Sequence, residues 1–277
     1  MLNKTGSKRL ARVASFSIFY LAVAYLVPLQ QGTPTVGYML GALITGLLYG
    51  TVLLYMESRL HVSRVRRILI VAAPVYAIQF LNPVLEGYFF TTRLNSPATL
   101  LGAIIFGFIL VLAYSVAASL IFPPEASLAE LNEDHEELNF RELPNLLKMI
   151  LAALSWPLIY FVFGLIISPI VSPYYSDPQS PYYLVLPGLG TILMVQVLRG
   201  FIYVFSLLPL LSSLRLNARS MLLTLTGLMY IGGGLAIFVV VETFPLTLRV
   251  VHGLEIFADS LVFSAVVTYL LNMLRPR

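Results

Sequence analysis

Three polar trios interrupt apolar runs of this 277-residue chain. They are Gln79, Asn82 and Glu86, then Gln196, Arg199 and Tyr203, then His252, Glu255 and Asp259. Each has the spacing i, i+3, i+7, which lines its members along one face of a helix. An ionisable group inside a membrane segment is costly and faces a partner, a cavity or a pathway. Three such faces point to one shared polar interior for a solute or ion, and Arg249 at the head of the last span joins it. Arg199 cannot be neutralised by losing a proton, so a carboxylate must answer it. Asp259 and Glu255 are the favoured partners and Glu86 the third candidate. Carboxylates gathered this closely do not all ionise together, so the site keeps negative charge or holds protons. A proton-coupled carrier needs that behaviour, and so does a buried catalytic acid.

His252 and Glu255 stand one helical turn apart. With Glu86 they form a nitrogen and oxygen set suited to zinc, manganese or iron; the other reading is a hydrogen-bonded pair. No HExxH, GxSxG or paired Ser–Lys signature occurs, and nothing identifies a nucleophile, so catalytic residues and cofactor stay unassigned. Pro83 removes the helical bond to the Gln79 carbonyl, and Pro74 that to Ile70. A carbonyl freed beside Asn82 and Glu86 suits a cation, a polar solute or water; a neighbouring Ser or Thr could also satisfy it.

The elements that carry these residues are membrane spans. Hydrophobic residues make up 58% of the chain and charged ones 11%, with mean hydropathy +0.88, which leaves no length for a sizeable soluble domain. The fold class is an all-α integral membrane protein. About eight spans fit, at roughly 10–29, 36–56, 67–90, 98–122, 145–171, 183–211, 220–241 and 249–273. Fourteen of the 17 Lys and Arg residues then fall on one side, which places both termini in the cytoplasm, of a prokaryotic plasma membrane as we read it. The net charge of +4 serves topology and anionic lipid headgroups, not nucleic acid. With no cysteine, disulfides and thiolate metal sites are excluded.

The chain reads as a single membrane domain, 1–277. An acidic cytoplasmic loop, 123–143, divides it into halves 1–122 and 144–277, which would be parallel four-helix repeats. Glu86 to Arg93 and Glu242 to Arg249 echo each other in Glu, aromatic, Thr and Arg. The loop, which includes His135, is a solvated connector, with 125–142 as a candidate surface for a protein partner. Tyrosines between Ser168 and Tyr183 form an interfacial belt or a lid. Gly37, Gly41, Gly46 and Gly50, and Ala113 with Ala117, are packing candidates, and Gly232 to Gly234 mark a tight crossing or a hinge. Three function classes fit: first a proton- or cation-linked transporter of a small solute with a polar cleft in the extracytoplasmic half, then an intramembrane enzyme acting on a lipid or membrane-embedded substrate, then a non-catalytic subunit or scaffold.

Overall fold

A computed structural model of the chain describes residues 4–26, 35–92, 96–125, 143–176, 184–214, 216–235 and 244–272. They form eight helices: α1 (Lys4–Leu26), α2 (Val36–Glu57), α3 (Arg64–Phe90), α4 (Pro97–Ile121), α5 (Leu143–Ser176), α6 (Leu189–Ser213), α7 (Ala218–Tyr230 continued by Ile231–Leu235) and α8 (Leu246–Asn272). Local chemistry sets several of the starts. Thr35 and Asn217 cap α2 and α7, and Ser96 with Thr99 forms a capping box on α4 ahead of Pro97. Among the described residues there is no strand, only an antiparallel bridge between Thr91 and Leu184.

This is an integral membrane protein. Six helices, α2 to α6 and α8, are long and apolar enough to cross a membrane. The expected number was eight. The helix α1 opens on Lys4, Lys8, Arg9 and Arg12, which dilutes its apolar run. The described part of α7 is short and ends at Leu235. The acidic loop 126–142 with His135, Arg93 and Glu242 of the echo, and 177–183 of the tyrosine segment lie outside the described residues.

Neighbours follow a simple pattern. In residues 1–122, α1 packs on α2, α3 on α4 and α1 on α4; in 144–277, α5 packs on α6, α7 on α8 and α5 on α8. Across the halves α3 meets α6 and α2 meets α7. Two π turns, Ala77–Leu81 in α3 and Ile231–Leu235 in α7, touch each other. Each follows a thirteen-residue α segment that ends in a tyrosine, Tyr76 or Tyr230.

Close glycine contacts and aromatic clusters occur in both sets of helices. Gly46 on α2 lies so close to α1 that a Cβ there would sit 3.0 Å from Ser17 Cα; at Gly200 on α6 it would sit 2.1 Å from the Ala153 carbonyl of α5. Tyr20, Tyr49 and Tyr114 cluster in the first half, with Tyr20 centroids 6.4 Å and 5.1 Å from the other two. Trp156, Tyr203 and Phe263 cluster in the second, with Trp156 centroids at 4.7 Å and 5.2 Å. Phe80 of one π turn lies against Gly107 of α4, and Gly234 of the other lies against Ile256 of α8. Gly232 and Gly233 meet Ile78, so the three glycines serve a close crossing. On α4 the close approach runs through Gly107, while Ala113 is exposed.

One end of the bundle is basic. There Glu57, fully buried at the end of α2, pairs with Arg67 of α3 at 3.4 Å. Arg67 also donates to the carbonyls of Ser119 and Phe122, which caps the end of α4. Arg9 pairs with Glu125, whose backbone N–H donates to the Ser58 carbonyl.

Candidate functional site

Toward the other end, α3, α5, α6, α7 and α8 enclose a cavity of about 180 Å³. Its charged lining is Glu86, Arg199, His252, Glu255 and Asp259, and its aromatic walls include Trp156, Tyr160, Tyr175 and Tyr203. Arg199, Glu255 and Asp259 are buried at 7%, 7% and 3% exposure, so these charges lie inside the bundle.

The arginine is held from several directions. Its Nη1 donates to Gln196 Oε1 at 3.1 Å, and its Nη2 donates to the Tyr203 hydroxyl at 3.3 Å. Gln196 Oε1 also accepts from Trp156 Nε1 at 3.0 Å. The guanidinium carbon is 5.4 Å from the Trp156 ring centroid. The carboxylate that answers Arg199 is Glu86, with Nη1 to Oε1 at 2.9 Å. The expected partner was Asp259 or Glu255. The reason for the difference is the packing order: α6 lies against α3, whereas α8 lies against α5 and α7. Glu255 instead pairs with His252 of its own helix, Nδ1 to Oε2 at 2.6 Å. Asp259 Oδ1 is buried with no hydrogen-bond partner among the described residues.

The trios on α6 and α8 thus reach one place. Of the α3 trio only Glu86 lines the cavity. Gln79 donates from Nε2 to the Tyr20 hydroxyl at 3.2 Å, within the aromatic cluster of the first half. Asn82 is fully buried, and neither polar atom of its side chain has a partner among the described residues. Arg249 occupies the first turn of α8, off the cavity wall. His252, Glu255 and Glu86 share the cavity, but among the described residues no three of His, Cys, Asp and Glu are placed to hold a metal ion.

The residues contributed by α5 were missed from sequence. Trp156, Tyr160 and Tyr175 form much of the wall, and Trp156 positions Gln196 and through it Arg199. The available signal was that Trp156 is the single tryptophan of the chain and lies well inside an apolar run, away from its ends. Ser260, beside Asp259, also lines the cavity.

Chemically, the site offers carboxyl groups and a histidine to exchange protons or hold a cation, beside a permanent positive charge. No protein-family model, no curated protein and no solved structure matches this chain.

Proposed function

We propose that the protein is a proton- or cation-linked carrier of a small solute. One observation carries this reading: the Arg199–Glu86 pair joins a helix of the first half to a helix of the second, at the wall of the polar cavity. Carriers built from internal repeats place their binding site near mid-membrane between the repeats, and rock one against the other around it. An ion pair across that seam is an interaction such rocking makes and breaks. Asp259 and the Glu255–His252 pair are the groups that take up the proton or cation.

The two halves act as parallel repeats. A shift of 154 residues carries Gly46 to Gly200, Tyr49 to Tyr203 and one π turn onto the other. A shift of 136 carries Ser17 to Ala153 and Tyr20 to Trp156, and one of 149 carries Gly107 to Ile256 and Tyr114 to Phe263. Eight spans with both termini in the cytoplasm accommodate this pattern, and the cavity then opens away from the cytoplasm.

The test is charge movement in liposomes that hold the purified protein and an internal pH dye. Sodium, potassium and guanidinium are added outside in turn, with and without an imposed pH gradient. The expected result is proton or charge movement driven by at least one of them and reduced about tenfold or more in Asp259→Asn. Traces equal to those of empty liposomes with every cation would end the carrier reading and leave the enzyme and scaffold classes.

A further inference from the structure

A second cavity of about 170 Å³ adjoins the first, between α5 and the outer part of α6. The two share Phe90, Tyr160, Tyr175, His252 and Glu255, so they adjoin across these side chains, one part polar and the other mostly apolar. The second part has Leu165 and Leu186 in its wall, which are 72% and 63% exposed. On a membrane-embedded bundle such side chains face lipid. Gly164 adds to the opening: the nearest atom to a Cβ built there is Glu255 Oε1 at 3.6 Å. The missing side chain leaves a path from the lipid face of α5 to that carboxylate.

We propose that this space binds a single-chain amphiphile with a cationic amine head, whose chain lies in the α5–α6 groove and continues into the bilayer. The inference rests on the carrier reading and names its substrate class. Charge selects the head. Three carboxyl groups line the polar part against one arginine and one histidine; Glu86 answers the arginine and Glu255 pairs with His252, which leaves Asp259. An anionic head would meet Asp259, and the arginine of the described lining is already answered by Glu86. An ammonium meets Asp259, with its buried and unpartnered Oδ1, between the rings of Trp156, Tyr160, Tyr175 and Tyr203. Size agrees, since about 180 Å³ is well above the roughly 10–15 Å³ that one water needs and takes a small head. The apolar part explains why a polar cavity is open sideways to hydrocarbon. A water-soluble cation has no use for that opening, and an amphiphile reaches the acids through it without leaving the bilayer.

The test uses the whole chain in lipid nanodiscs and two probes. Ethylammonium reports on the polar part through the fluorescence of Trp156, the single tryptophan. Decylamine with a photoreactive diazirine at mid-chain reports on the groove, with the matching diazirine alcohol as control. Expected are a saturable fluorescence change with ethylammonium, and amine labelling concentrated in peptides from Tyr160 to Ser172, exceeding the alcohol by about tenfold. Asp259→Asn removes both signals. Gly164→Leu and, from the facing wall, Ile192→Phe reduce the groove labelling, so the outcome does not hang on the folding of one variant. Leu158→Ala, at a lipid-facing position outside both cavities, leaves it unchanged. If ethylammonium binds but amine and alcohol label the groove alike, or the amine labels the lipid face of α4 as strongly, the amphiphile is overturned and the carrier reading stands. If neither probe gives a specific signal, the amphiphile is overturned, and the carrier reading is decided by the liposome traces.

Discussion

In the register of the proposed repeat Tyr49 and Tyr203 correspond, and each is buried within an aromatic cluster. Around Tyr49 the neighbours are other rings and hydroxyls. Around Tyr203 they are an arginine, a glutamine and the cavity acids. Shifted back by the same registers, Arg199, Glu255 and Asp259 fall on Thr45, Phe106 and Leu110. At the opposite end the contrast reverses. The buried Glu57–Arg67 pair of the first half corresponds to Leu211 and Met221 in the second, both buried and apolar. Glycine contacts, aromatic clusters and π turns recur in both halves, while charge sits at opposite ends. The fold therefore does not require charge at either place. In the first half it fastens helix ends, and in the second it lines a space.

Removing the two arginines should separate these roles most strongly. Arg67→Ala leaves Glu57, with no exposed side-chain surface, alone in the interior, and uncaps the end of α4. We expect a loss of about 3–5 kcal/mol in unfolding free energy. Arg199→Ala abandons a glutamate whose side chain is 33% exposed, so the loss should be about 1–2 kcal/mol while charge movement in liposomes is abolished. Adding Glu86→Gln to Arg199→Ala should recover part of the stability and none of the activity. The reverse ranking in denaturation experiments would break the comparison.

The glycines test the shared framework. Gly200→Ala drives a methyl group into the Ala153 backbone and should cost about 2–3 kcal/mol, whereas Gly46→Ala meets Ser17 less closely and should cost about 1 kcal/mol. Melting temperatures in one detergent decide this, and a Gly200→Ala protein as stable as the parent would remove the tight crossing from the account. A smaller effect separates the aromatic clusters. Tyr20→Phe strands the Gln79 amide and Trp156→Phe strands part of Gln196, each at about 1 kcal/mol, but only Trp156→Phe should lower charge movement. Orientation is tested without any expected change in stability. On this cysteine-free background, a cysteine at position 135 should react with an impermeant maleimide only after cells are opened, and one at Leu246 in intact cells. Labelling of position 135 from outside would invert the topology.

The helical character and the polar faces of α6 and α8 were legible because charge repeats at helical spacing in runs that otherwise lack it. The α3 face was not, for a geometric reason. Gln79 lies within the π turn and Glu86 beyond it. One extra residue in a turn rotates all that follows by about 100° relative to a regular helix, so i, i+3, i+7 no longer names a face. Pro83 marked an irregularity there without fixing its kind. The α5 wall was hidden because aromatic residues in a span read equally as core or interface. The Glu57–Arg67 pair was hidden because Arg67 stands in a cluster of arginines that topology alone explains. The echo between Glu86 and Glu242 runs at a shift of 156, two residues off the register that carries Tyr49 to Tyr203.

The π turns also carry a history. A π turn has the geometry of a helix that accommodates one extra residue. Here the turn lies at the same position of the third helix in each half, thirteen residues after its start. Two independent insertions at one position are far less economical than one. Under the duplication proposed above, the insertion is older than the doubling of the gene. On that proposal, a four-helix ancestor carried the turn and packed it against a second copy of itself. On the same proposal, ion pair, cavity and acids came afterwards, once fusion allowed the two copies to differ.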